Sequence, residues 1–309
     1  MDVLILGTRG SRLALRQTEL VVESLRRVHP DVRVRLQTIQ TTAERHPDQR
    51  LDQLPDIGFF VKELEVALLA RTIDAAVHSM KDVPSAIPDG LTIAAVTERE
   101  DPRDVLVARE KVTLETLPPG ASVGTSSPRR AGCLLARRPD LVVVPIRGNV
   151  DTRIRKVDAG ELDAVCLAGA GLRRLGLETR ISQWLPLDVA LPAPGQGALG
   201  VEIRSDDPHA ARIVAAANHE PTNAAVAAER ALLERLEGGC RMPIGALASV
   251  DGDRLTLTAM IPAEDGRAVL RGARTGFVHD ARAIGVALAD DLRAQGAATF
   301  AAGREGGRS

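Results

Sequence analysis

Asp74-Ala75-Ala76-Val77-His78-Ser79-Met80-Lys81-Asp82-Val83-Pro84 decides how the chain is read. The apolar run Ile73 to Val77, short enough for a buried strand, breaks into polar and ionisable side chains and closes on a proline, so the chain turns there. In open α/β sheets, ligands sit beyond the carboxyl edge of the strands, and Lys81 beside Asp82 brings both charge signs to that edge. A carboxylate there can steer protons or stabilise a cation. A solvated turn is the plainer reading of an isolated Lys-Asp pair.

The flanking sequence repeats the strand-turn-helix pattern. On the amino-terminal side, Val3 to Leu6 reads as a strand, Gly7-Thr8-Arg9-Gly10-Ser11 as a turn, and Leu13, Leu20, Val21, Leu25 and Val28 as a helix face. Val32 to Thr38 alternates like a half-exposed strand, and Thr41 to Gly58 is long for a connector, as lids and disordered segments are. Phe59, Phe60, Leu64, Ala67 and Leu68 resume a helix. On the carboxyl side, Leu91 to Val96 is a strand, and Thr97 to Asp104, charged and broken by Pro102, is a crossing into a second α/β unit. That unit has strands at Val105 to Ala108, Ala121 to Val123, Leu141 to Ile146 and Ala164 to Leu167. Leu191 to Gly197 is a second crossing, and two crossings imply a bilobal body that closes on a ligand. A third unit follows, with a helix over Ala224 to Leu236, alternation at Leu255, Leu257 and Ala259, and a closing helix over Ala281 to Leu292. Gly303 to Ser309 reads as a frayed tail.

The 309 residues exceed one ordinary core, and 44% hydrophobic with 26% charged residues is the balance of a globular chain. No apolar stretch reaches the roughly 20 residues of a membrane span. The first residues do not read as a signal peptide, so the expected compartment is the cytoplasm. A net charge of −1, with one Trp and no Tyr, gives no reason to expect nucleic acid or a membrane surface as partner.

Three strand-to-helix junctions share a chemistry: Gly7 to Ser11, Gly124-Thr125-Ser126-Ser127-Pro128-Arg129-Arg130, and Arg147-Gly148-Asn149-Val150-Asp151-Thr152-Arg153. In the second, Ser127 suits the N-cap and Pro128 the first helical position, which puts Arg129 and Arg130 in the first turn. The helix dipole disfavours cations there by about 0.3–1 kcal/mol, so two adjacent arginines imply an anion at that end. Arginine forks suit carboxylate or phosphate, and surface acids could also take them. No phosphate loop or dinucleotide fingerprint appears, so a small multicarboxylate fits better than a nucleotide.

Three cysteines form neither a disulfide framework nor a metal spacing, and six histidines show no paired metal spacing. Cys166 lies in an apolar strand and Cys133 in the helix after Arg130, both read as core. Cys240 follows two glycines and precedes Arg241 in a loop, a setting that can expose a sulfur and favour its thiolate; an inert loop thiol is the alternative.

Val77 to Pro84, Phe60-Val61-Lys62-Glu63-Leu64-Glu65, Glu98 to Asp104, Gly124 to Ser127, Arg147-Gly148-Asn149, Gly195-Gln196-Gly197 and Leu236-Glu237-Gly238-Gly239-Cys240 together resemble the porphobilinogen deaminase family, in order from about residue 3 to about 300. The resemblance implies an α/β protein of three domains, the first two like periplasmic-binding-protein lobes with doubly wound mixed sheets and the third a small α+β domain. The expected bounds are 1–98 with 197–217, 103–191, and 220–309. It implies a monomeric transferase that condenses four porphobilinogen molecules head to tail with loss of ammonia, then releases hydroxymethylbilane by hydrolysis. The implied cofactor is dipyrromethane, joined by a thioether to the cysteine matching Cys240.

Carried over residue by residue, Asp82 matches the catalytic carboxylate. Loss of ammonia from an aminomethylpyrrole leaves an electron-poor azafulvenium ion, which a carboxylate can stabilise while accepting the pyrrole N–H. Arg9, Ser11, Lys81, Thr125, Ser127, Arg129, Arg130, Arg147, Arg153 and Arg174 match positions that hold acetate and propionate arms, and Ser79 and Gln196 lie in matching motifs. Thr41-Thr42-Ala43-Glu44 and Ile57 depart from the family pattern in the expected lid, and Pro128 stands where leucine is common. The competing class is a bilobal anion-binding protein without chemistry, which predicts reversible carboxylate binding and no ammonia release.

Overall fold

The computed structural model of the chain describes residues 3–40, 61–236, 242–263 and 265–297. Cys240, Arg241 and the 41–58 segment with Glu44 and Ile57 lie outside the described residues. The chain divides into two compact units, Met1–Glu100 with Gly197–Asn223, and Asp101–Gln196 with Ala224–Ser309.

In the first unit, β1 (Val3–Thr8) lies between β2 (Arg33–Thr38) and β3 (Ala75–Ser79), parallel to both. Beyond β3 comes β10 (Leu199–Arg204), antiparallel to it and to β4 (Leu91–Val96). The order is β2-β1-β3-β10-β4. Helix α1 (Arg12–Val28) turns Val21, Val22 and Leu25 onto Leu4, Leu6, Val77 and Val201 to make the core. Helix α2 (Lys62–Leu69) sets Leu64 and Leu68 against Ile73 and Ala76. The turn from β1 into α1 is pinned from inside, because the buried Thr18 hydroxyl donates to Thr8 Oγ1 at 2.7 Å and Thr8 Oγ1 donates to Ala14 O.

The second unit repeats the design. Its strands are β5 (Asp104–Ala108), β6 (Ser122–Gly124), β7 (Val142–Val144), β8 (Ala164–Ala168) and β9 (Gln183–Trp184), in the order β7-β6-β8-β5-β9. As in the first sheet, the fourth position is antiparallel to its neighbours and is the first strand after a crossing. The helices α3 (Pro128–Arg137), α4 (Val150–Asp158) and α5 (Gly169–Arg174) connect it. The strand expected over Leu141 to Ile146 is confined to Val142–Val144, since Leu141 N is spent on Arg138 O and Pro145 has no N–H to extend the ladder.

The third sheet, β11 (Gly245–Asp251), β12 (Arg254–Pro262) and β13 (Val269–Phe277), is an antiparallel meander. Helix α6 (Pro208–Val214) belongs to the first unit. Then α7 (Glu220–Leu236) and α8 (Ala281–Ala294) bury Leu232, Leu236, Ile284, Leu288 and Leu292 on the sheet's inner face with Leu255 and Leu257. The architecture is therefore α/β, with two mixed five-stranded sheets and a small α+β part. Among the described residues, no helix is long and apolar enough to cross a membrane.

Candidate active site

In the first unit the geometry follows from Met80. Its backbone N donates to Ala198 O at 3.1 Å, and its buried side chain lies over Gly200, where a Cβ would collide with the sulfur. With Met80 turned inward, the 3-10 turn Met80–Asp82, closed by Val83 N on Met80 O, leaves Lys81 exposed and Asp82 half-exposed. A strand has thus delivered one acid and one base to its own carboxyl end. Ser79, the last residue of β3, accepts a hydrogen bond from Gln17 Nε2 at 2.9 Å, so the hydroxyl keeps its own proton for donation. Ser11 caps α1, its Oγ accepting from Ala14 N at 3.3 Å, and Arg9 lies half-buried in the turn ahead of it. Gln17 was not anticipated from the sequence. The available signal was a polar side chain on the inward face shared by Ala14, Thr18 and Val21.

One strand turn deeper, His78 Nε2 pairs with Glu202 Oε2 at 2.9 Å, both groups buried, and Glu202 Oε1 has no hydrogen-bond partner. Burial and the Glu202 charge push the Glu65 carboxyl up from its ordinary value.

In the second unit, Ser127 caps α3, accepting from Arg130 N, with Pro128 in the first turn as expected. The two arginines that follow are buried, and the chain supplies the anion they need. Asp104, fully buried as the first residue of β5, accepts from Arg129 Nη1 at 2.6 Å through Oδ2. Its Oδ1 accepts from Arg130 Nε and Nη2 at 3.0 and 2.7 Å and from Gln196 Nε2 at 2.9 Å. Burial alone would raise the Asp104 carboxyl, yet the two guanidiniums outweigh it and hold the group well below the usual carboxylate range. The sequence reading placed Asp104 in a charged crossing. Its signal lay in Arg129 and Arg130, whose place in a helix's first turn demands a negative partner.

Two carboxylate oxygens do not exhaust two guanidiniums. Arg129 spends Nη1 on Asp104 and on Leu191 O, and among the described residues its Nε and Nη2 donate to no protein acceptor. The three charges sum to +1, which leaves the cluster an anion acceptor. A ligand bearing carboxylate arms fits this donor set.

The neighbouring junction is tied to this one by Ser126, whose hydroxyl donates to Ile146 O at 2.7 Å and accepts from Ile146 N at 2.9 Å. Thr125, buried, accepts from Ser127 N, and Arg147 follows Ile146 directly, half-buried. Gly148 takes φ +101°, the left-handed region, and its carbonyl accepts from Arg153 Nε at 2.8 Å. Arg174 ends α5, half-buried, on a different element. Its neighbour Arg173 and, from the crossing, Arg103 lie over the Trp184 ring at 5.7 and 4.8 Å. Within the second unit, then, Thr125, Ser127, Arg129, Arg130 and Gln196 share one cluster with Asp104, Arg147 and Arg153 adjoin it through Ser126, and Arg174 stands on its own helix. Cys133 and Cys166 are buried, and burial pushes their thiols up to about 11 and about 12, as the core reading requires.

Residues 4–212 match the family described as "Porphobilinogen deaminase, dipyromethane cofactor binding domain", and residues 223–294 match "Porphobilinogen deaminase, C-terminal domain". Among curated proteins, the chain is 50% identical over 302 residues to a porphobilinogen deaminase of Roseiflexus sp. (strain RS-1), covering 98% of this chain and 99% of that one. It is 50% identical over 293 residues to one of Desulforudis audaxviator (strain MP104C), covering 95% of each. It is 46% identical over 293 residues to one of Carboxydothermus hydrogenoformans, covering 95% of this chain and 94% of that one. Among solved structures, it resembles the periplasmic VFT2 domain of Bordetella pertussis BvgS at 17% identity and TM-score 0.43, over 70% of this chain and 86% of that one. It also resembles the second substrate binding domain of a putative amino acid ABC transporter from Streptococcus pneumoniae at 10% identity and TM-score 0.44, over 70% and 90%.

Proposed function

The chain belongs to the porphobilinogen deaminase family, and from that premise we propose that Asp82 is its catalytic carboxylate and that Cys240 carries the dipyrromethane cofactor through a thioether. The activity comes with the family. As a transferase of tetrapyrrole and haem biosynthesis, the enzyme condenses four porphobilinogen molecules head to tail, releases ammonia at each step, and frees hydroxymethylbilane by hydrolysis. Dipyrromethane, when bound, supplies the pyrrole carbon from which the chain grows.

Asp82 accepts the substrate's ring N–H and keeps its negative charge next to the cation that ammonia leaves behind. Preorganised charge of this kind acts at the barrier rather than on binding. Lys81, Arg9, Ser11 and Ser79 in the first unit, and Thr125, Ser127, Arg129, Arg130, Arg147, Arg153, Arg174 and Gln196 in the second, hold the acetate and propionate arms of substrate and cofactor. The Arg129 donors unspent on protein support this assignment. The protein works as a cytoplasmic monomer of three domains, 1–98 with 197–217, 103–191 and 220–309, with porphobilinogen as its only partner.

The observation that carries the assignment of Asp82 is its half-exposed carboxylate at the end of a buried strand, on a turn fixed by Met80. Asp82→Asn is expected to lower ammonia release by about 10²–10³-fold, the range for losing one preorganised electrostatic partner. Near-normal turnover of Asp82→Asn removes the residue from the mechanism.

A further inference from the structure

We propose that Asp104 is a positioning residue for this reaction: from its buried seat at the head of β5 it sets the orientation in which Arg129 meets the carboxylate arms of the ligands. The proposal rests on the reading above that Arg129 holds the arms.

The two guanidiniums are held differently, and Asp104 makes the difference. Arg130 is gripped as a fork, Nε and Nη2 both on Oδ1, with Nη1 donating to Cys166 O at 3.3 Å. Arg129 is held at a single nitrogen, Nη1, between Asp104 Oδ2 and Leu191 O. Its planar group is therefore fixed in direction while Nε and Nη2 stay available.

The same carboxylate aligns three segments. Gln196 Nε2 donates both to Asp104 Oδ1 and to Pro102 O, and Arg129 reaches Leu191, so residues 102–104, 128–130 and 191–196 share one frame. Stability alone gives no reason for such a cluster, since apolar residues of similar volume are often as good in place of a buried ion pair. One acid for two bases at a helix N-terminus is the charge count of a site kept positive for an anion.

Four full-length proteins decide the matter: wild type, Asp104→Asn, Arg129→Gln and the double variant, whose cluster keeps the wild-type net charge. Each is assayed for KM and kcat with porphobilinogen, and for the fraction of chains carrying a covalent dipyrrole by intact mass. Asp104→Asn is expected to raise KM at least tenfold with kcat within about threefold, and to lower the loaded fraction. The double variant is expected to match Arg129→Gln within twofold in both readouts, because Asp104 acts through Arg129. Should Asp104→Asn fail to fold, the comparison of the double variant with Arg129→Gln carries the test. Multiplying effects in the double variant, or a folded Asp104→Asn with wild-type KM and loading, overturn the positioning role alone. An Arg129→Gln protein with wild-type KM and loading removes Arg129 from the binding site, and the inference falls with that reading.

Discussion

Gly285→Ala sets two physical effects against each other. Gly285 lies within α8, where an exposed Gly-to-Ala change stabilises a helix by about 1 kcal/mol. Its missing Cβ, however, is where α7 passes. An added methyl would meet Ala231 Cβ and Leu232 N at 2.9 Å each, and the Ala228 carbonyl oxygen closer still. Two of these three atoms are backbone and cannot rotate away, so α7 and α8 must separate. Overpacking of that kind costs about 1–3 kcal/mol, and immovable neighbours put this site near the upper end. The net expectation is a loss of about 1–2 kcal/mol after the propensity gain. For a domain of this size, that lowers the melting temperature by about 2–8 °C. Scanning calorimetry on the loaded protein reads it directly. A melting temperature equal to or above that of wild type would refute the close helix contact, because propensity would then have won.

Two further outcomes follow from the buried groups. Because the Asp104 carboxyl is held below its ordinary value, the stability it contributes is complete above the unfolded Asp value of about 3.9 and is lost as pH falls through the folded value. Urea midpoints taken from pH 5 down to pH 2.5 should therefore drop more steeply below pH 4 in wild type than in the Asp104→Asn, Arg129→Gln double variant. Parallel curves would contradict the assignment. Of the chain's three cysteines, Cys133 and Cys166 carry thiols pushed up to about 11 and about 12 by burial, and Cys240 is proposed to be a thioether. An aromatic disulfide reagent at pH 8 should find no fast thiol in the native loaded protein and two after denaturation. A third thiol in fully active protein would defeat the attachment.

Local rules made much of the fold legible. Ser127 caps the helix it was expected to start, Pro128 sits in its first turn, and Cys133 and Cys166 are core. What escaped is β10. Leu199, Val201 and Ile203 alternate with Gly200, Glu202 and Arg204 as in a half-exposed strand, yet all six residues are buried, and burial of the charged pair is what the local pattern does not announce. The polar pair is tolerated through partners mostly distant in sequence, His78 for Glu202, and for Arg204 the carbonyls of Leu68 and Ile73 and the carboxylate of Asp74, joined by the nearby Asp207. Asp104 was hidden for the same reason. A charge beside other charges looks solvated until its distant arginines are placed around it. The arginine junctions, in contrast, announced themselves through a local conflict, cations at helix starts, that needs no tertiary knowledge.

The place of β10 in its sheet has a consequence for synthesis. Among the described residues, β4 is bonded to the first sheet only through β10, which follows it by ~100 residues and comes after every strand of the second sheet. At roughly 5–20 residues per second on the ribosome, the amino-terminal sheet waits about 5–20 s with β3 open along one edge and β4 unattached. The lobe begun first is thus finished second, and a nascent chain halted near Glu100 presents bare strand edges to whatever binds them.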